Sequence, residues 1–373
     1  MSAPTPIVQF GTSRFLQAHA DLFFSEGSPA RNITVVQSSG DPARAARLGA
    51  MAAHDGYPVL IRGLSEGRVI DETSRVTSVR RTLSTVSQWD ELTRIIVEEA
   101  EVILSNTGDA GYEPRTADSD PLPSQEQSYP AKLYHLLAAR HAAGGAPLTI
   151  FPMELIPNNG TVLKARVIQI AAQQDAGADL TDWLERCLWA NSLVDRIVSE
   201  PIEPVGAVAE PYALWAIESQ PGLEAPTSHP AVQLVARLEE IERLKLHILN
   251  LAHTAMAAIW LAQDGPERQP DAIVRDLLAG ETGARVRAII EAEVLPGFAC
   301  HGMEAQARAY LAQTLERFAN PFLDHRIADI AQNHIQKLER RIGAFLQWVR
   351  AADPAFCAPQ LDLFLQAVER IDQ

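Results

Sequence analysis

The chain opens with a pattern that few folds accommodate. Ile7-Val8-Gln9-Phe10 is a short apolar run that stops at Gly11, a helical pattern follows from Arg14 to Phe24, and Ile33-Thr34-Val35-Val36 is a second apolar run. Strand, glycine turn, helix, strand is the βαβ unit, whose two strands lie parallel in one sheet. Asp41-Pro42 then opens another helix, because Asp suits the N-cap and Pro the first helical position. Strands of a parallel sheet are covered on both faces and read as continuous apolar runs; Val102-Ile103-Leu104 and Leu148–Phe151 have that character. Helices are expected over Ser87–Glu99, with Asp90 at a capping-box-like spacing from Ser87, and over Ala131–Ala143. Tyr57–Arg62 and Arg68–Val79 read as short strands decorating the sheet, and Glu113–Ser128 as an exposed loop.

After about Pro230 the texture changes to successive amphipathic helices, near 233–263, 282–294, 303–318, 324–350 and 359–371. The expected architecture is α/β: a Rossmann-like doubly wound N-terminal domain over residues 1–230, then an all-helical C-terminal domain over residues 231–373. A length of 373 residues suits two domains at roughly 150 residues each.

Composition narrows the partners. Hydrophobic residues at 47% and charged residues at 21% exclude a disordered chain. The net charge of −15 repels phosphate backbones, so nucleic acid is not an expected partner, and an anionic substrate needs locally placed Arg or Lys. Cys187, Cys300 and Cys357 form neither a CxxC pair nor a disulfide framework, which points to a reducing cytoplasm. Met1-Ser2-Ala3-Pro4-Thr5-Pro6 lacks the features of a signal peptide. The longest uncharged apolar stretch, Leu246–Gln263, carries two His, an Asn, a Thr and a Gln. Polar groups that dense are costly in lipid, so it reads as a buried core helix and no membrane partner is expected.

Gly11-Thr12-Ser13-Arg14-Phe15 occupies the first βα turn, where a small residue lets backbone N–H groups approach a pyrophosphate. Ser13 replaces the second glycine of GxGxxG and no third follows, so the turn alone also suits a βα connection with no ligand. The second strand ends at Gln37-Ser38-Ser39 without an acid. Asp41 is the nearest carboxylate, and Arg44 and Arg47 lie about a turn further on. An acid there favours NAD and an arginine accommodates NADP; NAD is the cofactor expected, with NADP not excluded.

Lys245 enters the uncharged helix on the stripe of Ile241, Ile248 and Ala252. At α-helical spacing Asn250 lies about 140° and His253 about 80° from it, so the three can line one wall of a pocket. A lysine so placed ordinarily snorkels to water. Partly desolvated, it becomes a usable general acid/base.

Lys245-x4-Asn250-x2-His253 resembles the catalytic signature of the mannitol dehydrogenase family of polyol-specific long-chain dehydrogenases. Phe10–His19 is similar to the family's FGxGxFxRAH turn, with Ser13 and Gln17 departing. Ser105–Gly111 is similar to the SNTTEAG segment of its hexuronate reductases, and Tyr129–Leu133 to FPAKL. Glu154-Leu155-Ile156, Asn159-Gly160, Asn191–Ile197 and Arg317–Pro321 follow in order, so the resemblance runs from residue 7 to about 340.

The resemblance implies a metal-independent, nicotinamide-dependent oxidoreductase interconverting a secondary alcohol and a ketone. In it Lys245 is the general acid/base, Asn250 hydrogen-bonds the reacting oxygen and His253 positions it. The cofactor would contact Gly11, Thr12, Ser13, Arg14, Phe15, Ser38 and Asp41, with Asn106, Thr107 and Gly108 on the nicotinamide side. No metal-ligand motif is present. Leu155 after Glu154, as in tagaturonate and fructuronate reductases, points to an open-chain sugar acid. A neutral polyol of the mannitol or arabinitol type, and a catalytically silent dinucleotide-binding protein, are the alternatives. Asp195, Arg196, Glu154 and Lys337 are the expected substrate-binding residues; Arg196, Arg326 and Lys337 are the cations able to hold a carboxylate, Lys337 first among them.

Overall fold

The computed structural model of the chain describes residues 3–263 and 268–369. Met1, Ser2 and Asp264, and the end of the helix expected over 359–371, lie outside them. The chain divides into two compact units. One takes the residues up to Ile61 with Asp71–Leu238, the other Arg62–Ile70 with the chain from Glu239 onward.

The first unit is built on six parallel strands: β1 (Ile7–Phe10), β2 (Ile33–Gln37), β3 (Val79–Ser84), β4 (Val102–Ser105), β5 (Thr149–Pro152) and β6 (Leu188–Trp189). Their order is β3-β2-β1-β4-β5-β6, the doubly wound arrangement. The chain reverses its direction of travel across the sheet between β1 and β4, where Phe10 pairs with Val36 on one side and Ser105 on the other. That switch point is where such sheets bind ligands. Ile7, Val35, Leu104 and Phe151 feed the core on one face; Val8, Val36, Ile103 and Ile150 feed the other. Burial on both sides is why the apolar runs show no alternation.

Tertiary partners overrode local pattern in several places. The runs near 57–62 and 68–79 do not decorate the main sheet. They form nine-residue strands, Tyr57–Ser65 and Arg68–Val76, of a separate four-stranded sheet with Val198–Pro201 and Ala207–Ala209. The tip of that hairpin belongs to the helical unit, where Asn320 Nδ2 donates to the Arg62 carbonyl at 3.1 Å and the Gly67 N–H to Glu316 at 2.6 Å. Residues expected to begin the helix at 233 instead form the strand Val232–Val235, paired in parallel with Leu214–Glu218. The helix from Arg14 breaks into Arg14–Gln17 and Ala20–Glu26 at His19. His19 Nε2 lies 3.0 Å from the Leu214 carbonyl and its ring sits against those of Phe15 and Phe23.

Caps followed the same logic. Asp41 caps Pro42–Ala45 as its sequence suggests, accepting from the Ala43 N–H at 2.8 Å. The Ser87 capping box does not form: the helix is Trp89–Glu98 behind Gln88, whose Oε1 accepts from the Ser84 N–H at 3.1 Å. Glu113–Ser128 is ordered around buried Asp118, which accepts from Ser128 N–H and Oγ and from Arg166.

In the helical unit, Leu238–Leu261 is one continuous helix. By length and composition it passes for a membrane span, but most of its apolar window is buried, with Ile248, Leu251, Ala252, Ala255 and Met256 in the unit's own core. Val274–Ala279, 281–299, Glu304–Phe318 and Pro359–Glu369 contribute Leu278, Val286, Leu311 and Leu361 to the same core. The helix expected over 324–350 is interrupted: Ile327–Ile330 ends before Asn333, whose φ of 53° is left-handed, and a new helix starts at His334.

One buried carboxyl gives this fold a testable pH dependence. Asp21 accepts from the Tyr57 hydroxyl at 2.5 Å, and burial pushes its pKa up to about 7. Between its unfolded value near 3.8 and about 7, the folded chain holds a proton that the unfolded chain has released. Stability therefore falls as pH rises through that window, by up to about 1.4 kcal/mol per pH unit. The melting-temperature advantage of Asp21→Asn over the parent should grow from pH 4 to 7 and then level off. A pH-independent difference in thermal scans contradicts the assignment.

Candidate active site

At the switch point, β1 ends in a turn that only glycine fits. Gly11 has φ 133°, and a Cβ there would stand 2.7 Å from the Asn106 carbonyl oxygen and 2.8 Å from Leu16 Cδ1. Its N–H donates to the Val36 carbonyl at 3.0 Å. Thr12, Ser13 and Arg14 then line a cavity of about 340 Å³ together with Gln17, Arg44 and Arg47. Ser13 caps the following short helix, its Oγ accepting from the Leu16 N–H at 3.3 Å. Three arginines around a close-packed glycine turn fit the anionic pyrophosphate of a dinucleotide. Phe15 stacks on His19 at 4.8 Å and is not among the residues lining this cavity.

At the end of β2, Asp41 is occupied in capping and lies 3.6 Å from Arg44. Arg47 pairs with Glu203 at 3.3 Å. The Ser38 carbonyl accepts from Gln125 Nε2 at 2.7 Å and Lys132 Nζ at 3.1 Å. Burial pushes Lys132 down to about 8. Its ammonium also donates to the Gln125 carbonyl at 3.0 Å, tying the end of β2 to the 113–128 segment. Sequence reasoning missed this residue, since nothing in a helical lysine marks it as buried.

Beyond β4, Asn106, Thr107 and Gly108 form a loop organised by Glu154. Its carboxylate accepts from Ser105 Oγ at 3.0 Å, the Thr107 N–H at 2.9 Å, Thr107 Oγ1 at 3.1 Å and the Tyr112 hydroxyl at 2.7 Å. Asn106 Nδ2 donates to the Met153 carbonyl at 2.7 Å. Glu154 is 3% exposed, and with four donors around its carboxylate it holds the loop. Arg196 also meets backbone. It is buried, donates to the Ala18 and Glu210 carbonyls, and is pushed down to about 10 by burial. Asp195 is buried at the end of the strand Ser192–Asp195, its backbone paired with Leu214.

In the helical unit, Lys245–Asn250 is a π-turn within the helix Leu238–Leu261. This changes the geometry expected from α-helical spacing. A π-turn bonds residue i to i+5, so Lys245 and Asn250 fall on the same side of the helix, about a turn apart, rather than about 140° apart. His253 follows three residues on, about 60° from Asn250 in regular α-helix. Lys245 and Asn250 are half-buried, whereas His253 is buried, stacks on Phe318 at 4.1 Å and meets His325 edge-on at 5.1 Å. His253 Nε2 is buried with no hydrogen-bond partner. Burial, then His325, Arg341, Arg317 and Lys337 in decreasing order, holds its pKa well below the ordinary value, so the ring is neutral.

Lys337 Nζ donates one proton to the Ile330 carbonyl at 2.7 Å and is half-buried. Arg326 is exposed and lies 3.3 Å from Asp271. His325 and Arg341 were not singled out from the sequence. Arg341 follows Lys337 by four residues, a spacing that puts both on one helical face and that was readable. His325 lies in an irregular segment with no period to mark it. Among the described residues, no three His, Cys, Asp or Glu side chains converge as a metal site.

A doubly wound sheet with a phosphate-fitting turn, joined to a helical unit bearing lysine, asparagine and histidine on one helix, defines a dinucleotide-dependent oxidoreductase. Residues 5–227 match the mannitol dehydrogenase Rossmann domain and residues 237–357 the mannitol dehydrogenase C-terminal domain. The chain belongs to the mannitol dehydrogenase family and is an NAD-dependent alcohol/ketone oxidoreductase. It is 30% identical to the altronate oxidoreductase of Klebsiella pneumoniae and 29% to that of Bacillus subtilis, in each case over 91% of this chain and 74% of the relative. Its fold is shared with a D-sorbitol dehydrogenase in substrate-free form, at a TM-score of 0.80 and 17% identity over 98% of this chain and 80% of that one. It is also shared with Pseudomonas fluorescens mannitol 2-dehydrogenase in a ternary complex with NAD and D-mannitol, at 0.67 and 16% over 98% and 84%.

Gly11→Ala tests the turn. The added methyl group meets backbone and the left-handed φ adds strain, on the order of 1–3 kcal/mol. We expect NADH affinity to fall at least tenfold in a fluorescence titration, with a lowered melting temperature. Unchanged affinity contradicts the assignment of this turn to the cofactor.

Proposed function

We propose that this protein interconverts an open-chain hydroxy sugar acid and its keto form, in the manner of a tagaturonate or fructuronate reductase. One observation carries the substrate class. In a chain of net charge −15, Lys337 lies on a short helix packed against the helix of the neutral, unsatisfied His253, and the charges of Lys337 and Arg317 both reach that ring. Long-range attraction does not draw an anion to such a protein, so a local cation cluster is what holds one. The relatives' substrate by name, altronate, is a sugar acid of this kind.

Bound NADH supplies the hydride. The chain's own residues handle the rest of the reduction. As charge develops on the carbonyl oxygen, the Asn250 amide donates to it and Lys245 Nζ delivers the proton. His253 Nε2, without a partner in the protein, orients a substrate hydroxyl. Lys337 holds the carboxylate with a charge-assisted bond, and Asp195 contributes to hydroxyl recognition. Glu154 and Arg196 act by holding backbone, Glu154 on the loop that carries Asn106, Thr107 and Gly108. The unpaired cysteines Cys187, Cys300 and Cys357 support a reducing cytoplasmic setting, and the acidic surface disfavours nucleic acid.

Three measurements test this reading. With NADH and NADPH in parallel, a keto-uronic acid should turn over faster than its neutral keto-sugar analogue, and Lys337→Ala should erase that preference. Equal or better turnover of the neutral sugar favours a mannitol- or arabinitol-type enzyme, and no turnover of any keto-sugar favours a silent binder. Lys245→Ala should cut kcat by roughly 10²–10⁴ with cofactor affinity nearly intact. Activity should survive EDTA; loss on chelation restored by zinc removes Lys245 as the proton source.

A further inference from the structure

The helix bearing Lys245 is not the only one with a wide turn. Glu339–Gly343 is a π-turn in the helix that runs on into Ala344–Ala352, and the two π-turns are bonded to each other in both directions. His247, inside the first, places Nδ1 3.0 Å from the Arg341 carbonyl, and since a carbonyl only accepts, Nδ1 carries the proton. Arg341, inside the second, sends NH1 to the Asn250 carbonyl at 3.2 Å and to Thr254 Oγ1 at 3.0 Å. Thr254 Oγ1 itself donates to the Asn250 carbonyl at 3.0 Å. Trp348 and Phe345, one to two turns after Arg341, flank the His247 ring at 6.0 and 5.4 Å.

A π-turn is less favourable than α-helix and persists where its surroundings impose it. The alternative here is an α-helical register, which turns Lys245 about 140° away from Asn250. We propose that Arg341 is a positioning residue that locks the Lys245–Asn250 π-turn, and with it the relative placement of the proton donor and the oxygen-binding amide. This rests on the reading of Lys245 and Asn250 as the chemical residues. Arg341 acts through the Asn250 backbone and needs no contact with substrate.

The test uses the full chain, with NADH and a keto-uronic acid. Arg341→Ala should lower kcat 10- to 100-fold while NADH affinity and substrate KM stay within threefold, and added guanidinium should restore several-fold of the loss. Arg341→Lys, which keeps charge but loses the planar fork, should fall between. Arg340→Ala, an exposed neighbour, should behave as the parent. Amide hydrogen exchange reads the lock without reference to catalysis: amides of residues 245–254 should exchange at least tenfold faster in Arg341→Ala, and not in Arg340→Ala. Unchanged exchange overturns the proposal. A raised substrate KM with kcat intact also overturns it, because the guanidinium then binds substrate directly. If Lys245→Ala retains full activity, the chemical reading falls, and exchange alone still decides whether Arg341 holds the turn.

Discussion

Phe10 pairs in parallel with Val36 on one side and Ser105 on the other, and the first unit is organised around that central position. A strand with parallel neighbours on both edges has both faces covered, so Ile7 and Val8 point into different cores. It also ends at the switch point, where the chain leaves β1 so close to the end of β4 that no side chain fits at Gly11. The loop beyond β4 stays at that distance because buried Glu154 gathers donors from Ser105, Thr107 and Tyr112. A carboxylate buried without such donors would be costly; with them it fixes the backbone around it.

The helical unit solves a different problem. It has to carry polar residues on a helix whose other faces are core, with Ile248, Leu251 and Ala252 fully buried. The wide turn at Lys245–Asn250 places two polar side chains on one side and leaves the apolar stripe intact. Holding that turn requires polar partners inside an apolar bundle, and Arg341 and His247 supply them reciprocally. Two of the cations whose charge reaches His253, Lys337 and Arg341, come from chain that the Asn333 break brings into a new helix, so an interruption in helical periodicity contributes to the charge around that ring.

Much of this was legible in particular residues. The turn at Gly11, the capping Asp41-Pro42 and the Lys245-Asn250-His253 spacing are short-range patterns whose physical causes act within a few residues. Glu154 and Arg196 were legible as unusual but not as to their task, since an acid or base in a sequence carries no record of which donors or carbonyls surround it. Lys132 and Arg341 were missed for the converse reason: their partners lie far away in sequence, at Ser38 and Asn250.

By itself, then, the sequence determined the succession of strands and helices, the parallel sheet they must form, and the chemical inventory of lysine, asparagine and histidine on one helix. Those follow from apolar periodicity and local capping, which do not need a distant partner. Only the tertiary structure decided that 57–76 builds a separate sheet, that Val232–Val235 is a strand and that Lys245–Asn250 winds as a π-turn. In each case a partner across space, a paired edge or a guanidinium on a carbonyl, outweighed a local preference worth less than about 1 kcal/mol per residue.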